Sequence, residues 1–417
     1  MGAAAGRRGL VVAWAVALAA SALAAVPATA TTGAGTGTGT GTGSGSGSRD
    51  AAHAGAGGGY TAGDLGRDLA AVRTAGGGRV NVVARLDRTG QDPLVVRSGS
   101  ALPRDPEFRV ASTTKTFTAV VVLQLAAEKR LSLDDTVAHW LPGVVAGNGN
   151  DGSRITLRDL LRQTSGLFDY VADPEVQDKL VGHFEENRYD DTPASDLVAI
   201  AMRHAPLFTP GDGPRRWAYS NTNYLVAAMI AEKATGQSWR ELVEHRVIAP
   251  LGLRHTYIPG ANPFLVGPHV PVTIDGPDGR RVDLTEESFQ HTADSGVVST
   301  PSDLNAFFRA LATGRLLPAA QWREMRETVP YDDLPVPPAG RQGGYGLGVR
   351  VVPLTCGGVY YMHEGDGWGV YGRPAVSADG RRAVTVSITT TTALVDQERV
   401  DRAVESLTDH ALCGRSA

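Results

Sequence analysis

Strand-type segments stand at both ends of this chain and helix-type segments fill its middle. That order restricts the fold more than any other feature. Near the front, Arg79 to Leu86 and Leu94 to Val96 are rich in Val and are separated by the turn-forming run Asp87-Arg88-Thr89-Gly90. After Gly343 the period returns to strand type over Tyr345 to Val352, Val359 to His363, Gly369 to Val376 and Arg382 to Thr389. Between these ends, the spacing predicts helices over Ser112 to Glu128, Thr156 to Gln163, Ser195 to Arg203, Thr222 to Ala234, Trp239 to Val247 and Pro301 to Ala312, with a closing helix over Asp396 to Leu412. Phe117, Val120, Val121, Leu123 and Leu125 make the first of these apolar nearly all round, as a buried helix is. The expected class is α+β: an antiparallel sheet built from both termini, flanking helices and a helical subdomain.

The first sixty residues are of another kind. Arg7 and Arg8 precede the uncharged apolar run Leu10 to Val26, and Ala28-Thr29-Ala30 is a small-x-small cleavage site. Residues 1–30 therefore read as a secretory signal peptide rather than a stable membrane anchor, and the protein is expected outside the cell. Residues 31–59 hold 12 Gly among Thr, Ser and Ala and have little apolar surface to bury, as in a flexible linker. One folded domain is expected over 60–417, and 42% hydrophobic residues in a chain of 417 support a large core. Cys356 and Cys413, an even pair in an exported chain, are expected to form a disulfide.

Composition narrows the function classes. A formal net charge of -4 argues against a nucleic-acid binder. Two Cys, and 10 His with no His-x-His, leave no metal-ligand cluster, and no cofactor or metal is expected. The four lysines (Lys115, Lys129, Lys179, Lys233) stand against 36 Arg, so a Lys in a chemical setting carries some weight.

Three short motifs could carry chemistry. In Ser112-Thr113-Thr114-Lys115, helical spacing puts the hydroxyl and the amine side by side at a helix start. A Lys with a lowered pKa can serve a Ser nucleophile as its base, whereas an Arg cannot. The same four residues also read as a capping Ser with a chance Lys. In Tyr219-Ser220-Asn221 a phenol can move a proton, with its pKa depressed by cationic neighbours, and an amide can orient a carbonyl. Taken alone, that triplet is a packed Tyr and a helix-capping Asn. In His363-Glu364-Gly365, at a strand end, Gly allows close approach and the imidazole supplies a polar or cationic group beside the Tyr.

The three motifs together, in this order and 107 and 144 residues apart, resemble the serine β-lactamase / penicillin-binding protein family, in its branch of class C β-lactamases and D-alanyl-D-alanine carboxypeptidases. Thr164-Ser165-Gly166-Leu167, Pro250-Leu251-Gly252-Leu253, Ser299 to Leu304 and Tyr345-Gly346-Leu347-Gly348 support the resemblance. It spans Tyr60 to Cys413, and the Cys pair is most similar to that of secreted actinobacterial carboxypeptidases. The resemblance implies a β-lactamase/transpeptidase-like fold. It implies that Ser112 forms an acyl-enzyme, Lys115 activates it, Tyr219 is the acid/base toward the leaving group, and Asn221 holds the substrate amide. It also implies that His363 stands where relatives carry Lys, and that Gly365 and Asp366 border an oxyanion hole made by the backbone N–H groups of Ser112 and Asp366.

One departure stands out. Relatives place a hydroxyl where this chain has Asp366, and Glu364 adds a second acid. Two acids would repel a substrate carboxylate unless Arg350 on the preceding strand compensates. The expected function is a secreted, monomeric D-alanyl-D-alanine carboxypeptidase that acts on peptidoglycan stem peptides and is acylated by β-lactams such as penicillins. A β-lactamase, an esterase or a D-amino-acid amidase of the same fold is the alternative, and a non-catalytic penicillin-sensing domain a lesser one.

Overall fold

The structure is a computed structural model that describes residues 59–99, 101–211, 216–275, 280–329, 343–391 and 396–415. The signal peptide and nearly all of the linker expected above lie outside the described residues. The chain opens with helix α1 (Ala62–Ala75), which the sequence reading had not assigned. Its cue was present: Thr61 and Asp64 form a capping box, and Leu65, Leu69 and Val72 recur on one buried face. Strands β1 (Val80–Arg88) and β2 (Gln91–Ser98) form a hairpin. Helix α2 (Thr114–Ala127) follows a one-turn 3-10 segment, Ala111–Thr113.

The helical middle includes α3 (Thr222–Thr235) and α4 (Pro301–Ala312). Then come the short strands β3 (Gly344–Tyr345), β4 (Arg350–Pro353), β5 (Val359–Met362) and β6 (Gly365–Asp366). The long strands β7 (Val370–Ser377) and β8 (Arg382–Thr390) and helix α5 (Gln397–Cys413) complete the chain. The sheet runs β2-β1-β8-β7-β5-β4-β3, with β6 paired to β7, and every neighbouring pair is antiparallel. The first long strand thus lies against the last, with Val80 opposite Thr390 and Arg88 opposite Arg382.

The pleat sends alternate residues to opposite faces. Val82, Ala84 and Leu86 of β1 and Val384, Val386 and Ile388 of β8 form one core with Leu65, Leu69 and Val72 of α1 and Val400, Val404 and Leu407 of α5. The other face meets α4. There Thr385 Oγ1 donates to Asn305 Oδ1 (2.8 Å), and Asn305 Nδ2 donates to Asp87 Oδ2 (2.7 Å), so this layer is tied by hydrogen bonds as well as by packing. Beyond α4 lies the helical subdomain. Phe117 of α2 stacks on Phe307 of α4 with centroids 3.8 Å apart, and both rings are fully buried. Truncating either to Ala would cost about 3–5 kcal/mol.

The continuous strand expected over Tyr345 to Val352 is broken at residues 346–349. Gly348 (φ 76°) turns the chain against α2, where a Cβ would stand 2.6 Å from that of Ala119. The expected disulfide is formed: Cys413 at the end of α5 is bonded to Cys356, between β4 and β5.

Candidate active site

The 3-10 turn and the start of α2 that continues it aim two side chains the same way. Lys115 Nζ lies 2.9 Å from Ser112 Oγ. The segment leading in is constrained. Ala111 has φ 45°, a left-handed conformation that costs an L-residue about 1–2 kcal/mol. Thr113 Oγ1 donates to the His363 carbonyl (3.0 Å), and Thr114 Oγ1 accepts from Val297 N (3.1 Å).

The Tyr219 loop reaches the same point from the other side because the segment after residue 162 holds it. Ser220 N donates to Gln163 Oε1 (3.0 Å), Asn223 Nδ2 donates to the same oxygen (2.5 Å), and Thr222 Oγ1 donates to the Phe168 carbonyl (2.8 Å). Tyr219 OH then lies 2.9 Å from Ser112 Oγ, and Asn221 Oδ1 lies 2.6 Å from Lys115 Nζ.

Lys115 has no exposed surface. Its Nζ has three polar neighbours: Asn221 Oδ1, the Asp294 carbonyl (3.0 Å) and Ser112 Oγ. The first two can only accept. A neutral amine has two N–H groups, one for each acceptor, and a lone pair left for the serine O–H. Burial pushes the amine down to about 8, against the carboxylates of Asp294, Asp169 and Glu364. Burial also pushes the Tyr219 phenol well above its ordinary value. The depression by cations expected from the sequence is therefore reversed, and Tyr219 stands as a neutral proton donor. The arrangement supplies a hydroxyl flanked by a base of accessible pKa and a protonated acid.

A cleft of about 620 Å³ opens at this point, lined by Ser112, Tyr219, Asn221, Arg350, Glu364 and Asp366 among others. Gly365 brings β6 against the nucleophile turn so closely that a Cβ there would sit 2.0 Å from the Val110 carbonyl. His363 departs from the expected placement. It is fully buried, its Nε2 meets Tyr345 OH at 2.9 Å, and its Nδ1 is 2.7 Å from the Glu364 carbonyl. Burial pushes its pKa down to about 4, so the ring is neutral at pH 7 rather than cationic. It is Glu364 that faces the cleft, as alternation along an extended segment dictates.

The two acids are each paired. Arg350 Nη1 is 3.0 Å from Glu364 Oε2, and Arg373 Nη1 is 2.6 Å from Asp366 Oδ1. Arg373 also holds Asp401 of α5 at 2.8 Å. Burial alone would raise the Glu364 carboxyl, but Arg350, His363 and Arg373 bring it down to about 2. Arg350, expected to wait for a substrate carboxylate, is thus already engaged.

Sequence reasoning missed Asp169, Asp294, Tyr345 and Arg373. Asp169 accepts from Asn221 Nδ2 (2.9 Å) and from Asn221 N (3.2 Å), which fixes the amide's orientation. Burial pushes its carboxyl up to about 6. Its one cue is its place two residues after Thr164-Ser165-Gly166-Leu167. Asp294 and Arg373 have no local motif. Among the described residues no group of three His, Cys, Asp or Glu could hold a metal ion, and no helix is long and apolar enough to cross a membrane.

The family model described as Beta-lactamase matches residues 72–408. A solved D-stereospecific amidohydrolase from Streptomyces sp. is 38% identical, with a TM-score of 0.71 over 79% of this chain and 96% of that one. The D-amino acid amidase of Ochrobactrum anthropi SV3 shares the fold at 24% identity, with a TM-score of 0.66 over 84% of this chain and 95% of that one. Penicillin-binding protein 4* of Bacillus subtilis is 33% identical over 155 residues, 36% of this chain. The matched part spans under a third of the length of the curated relatives, 30% in that case. With the family model covering most of its folded length, the chain belongs to the beta-lactamase family of serine acyl-enzyme hydrolases.

Proposed function

We propose that the protein is a serine amidohydrolase that cleaves amides of D-configured amino acids through an acyl-enzyme on Ser112. The observation that carries this reading is the approach of Lys115 Nζ and Tyr219 OH, each at 2.9 Å, to one serine oxygen. Neutral Lys115 takes the Ser112 proton as Oγ bonds to the substrate carbonyl carbon. The C=O π pair moves onto oxygen, where the backbone N–H groups of Ser112 and Asp366 receive it. Losing one such donor costs about a hundred- to a thousandfold in rate. Collapse of the tetrahedral adduct breaks the C–N bond, and Tyr219 gives its proton to the departing amine. The proton on Lys115 returns to the phenol through the hydroxyl network. Water then repeats the sequence on the ester and frees the acid.

The choice of amides rests on charge. Arg350 and Arg373, two cations that line the cleft, hold Glu364 and Asp366. A leaving group with a free carboxylate would compete with those acids, and an uncharged amide would not. The 38% identity to a D-stereospecific amidohydrolase supports the same choice. The apolar leader and the Cys356–Cys413 bond support an enzyme working outside the cytoplasm.

D-phenylalanine amide and an acyl-D-alanyl-D-alanine peptide, given to wild type and to Ser112→Ala, test the proposal. Wild type should release ammonia from the amide with the higher kcat/KM, and Ser112→Ala should release none. Turnover by Ser112→Ala would overturn the acyl-enzyme. A higher kcat/KM on the peptide would favour the second reading, a D-alanyl-D-alanine carboxypeptidase acylated by penicillins, which the likeness to penicillin-binding protein 4* supports. A penicillin adduct on wild type, seen by intact mass and absent in Ser112→Ala, would mark that reading.

A further inference from the structure

Gln290 presents to the cleft a carboxamide that the acyl-transfer residues leave unused. Only 9% of the residue is exposed. Its backbone N–H donates to Glu287 Oε2 (3.0 Å), and Glu287, itself buried, pairs with Arg109 Nε at 2.7 Å. Arg109 lies three residues before Ser112, so the segment that carries the nucleophile also fixes Gln290 in place. A methyl built on Gly367 would stand 3.3 Å from both amide heteroatoms of Gln290 and 3.6 Å from Ala111 Cβ. The carboxamide therefore lies against the backbone just after Asp366, at a glycine that the nucleophile turn also approaches.

Its Oε1 is buried and has no hydrogen-bond partner among the described residues. A buried acceptor without a donor is rare and costly, and a substrate N–H is one group that can supply the missing donor. Asn221, another carboxamide of the cleft, is already committed to the catalytic network, with Oδ1 accepting from Lys115 and Nδ2 donating to Asp169.

We infer that Gln290 is a specificity-determining residue whose Oε1 accepts a hydrogen bond from the nitrogen on the α-carbon of the acyl group. The site then selects α-aminoacyl donors over acyl groups with a bare α-carbon. This rests on the acyl-transfer reading above and names its acyl-side substrate class.

The test compares D-alanine p-nitroanilide with propionic acid p-nitroanilide, which share a leaving group and differ in the α-nitrogen. In Gln290→Leu, kcat/KM for the D-alanine substrate should fall by about tenfold or more, chiefly through KM, with the propionyl substrate nearly unchanged. An equal fall on both substrates, or no fall on the first, would overturn the inference. Should Gln290→Leu fail to fold, Gln290→Glu keeps an acceptor at the same place, and its preference for the D-alanine substrate should match or exceed that of wild type. A lost preference there would equally overturn it. A Ser112→Ala control that still hydrolyses D-alanine p-nitroanilide would sink the acyl-transfer reading itself, a result separable from any change in the ratio.

Discussion

Lys115 sets the pH behaviour of the site. As a base it works only when neutral, and burial has brought it down to about 8. Plotted against pH, kcat/KM should therefore rise through a limb near 8 and level off above it. Asp169 favours the charged amine. Removing that carboxylate in Asp169→Asn should move the limb to lower pH while kcat falls, because Asn221 loses the acceptor that orients it. A limb that stays in place would separate Asp169 from the proton network. At this scale the sequence pointed to Ser112, Lys115, Tyr219 and Asn221, each by a short motif, and these four are brought together in the structure. It could not reveal Asp169 against Asn221 or Gln290 against Gly367, because those contacts join segments that only the folded backbone brings together. It also assigned the imidazole of His363 to the cleft. The pleat of a short extended segment decides which neighbour faces in, and there it favoured Glu364.

The short strand β6 is the element on which the site most depends. In Gly365→Ala the new methyl would strike the Val110 carbonyl, so β6 must withdraw from the nucleophile turn. Acylation of Ser112 should slow by about a hundredfold or more, as for loss of an oxyanion donor. Burst kinetics with an ester substrate would read this, and an unchanged burst rate would contradict it. Glu364, just before it, links the same segment to acid stability. Its folded pKa of about 2 lies below the unfolded value near 4.3, so the ionised pair with Arg350 stabilises the protein above that unfolded value. This stabilisation, of order 3 kcal/mol, is lost as pH falls from about 4.5 toward 2. Thermal melts should show Glu364→Gln less stable than wild type at pH 7 and nearly equal to it at pH 2. Most elements were legible because their periods are strong, as in α4, whose bounds match Pro301 to Ala312. The break at residues 346–349 was not: Gly346 and Gly348 were its local cue, but the close contact with α2 that requires the turn joins distant segments.

Across the whole molecule, the Cys356–Cys413 bond closes a loop of 57 residues and fastens α5 to the sheet beneath it. On the chain-entropy account it contributes about 4 kcal/mol. Reduction, or a double Cys→Ser variant, should lower the thermal midpoint by several degrees, and an unchanged midpoint would show the bond idle. The α+β class was readable from the order of strand and helix signals, whereas the neighbours within the sheet were not, since pairing is a non-local choice. The pairing of β1 with β8 bears on biosynthesis. A ribosome delivers the β1–β2 hairpin about three hundred residues ahead of its partner, an interval of roughly 15 to 60 s at ordinary elongation rates. Throughout that wait one hairpin edge is bare and open to strangers. Products of premature termination before Arg382 should accordingly collect in aggregates, and a holding chaperone should be in demand until the final strand emerges.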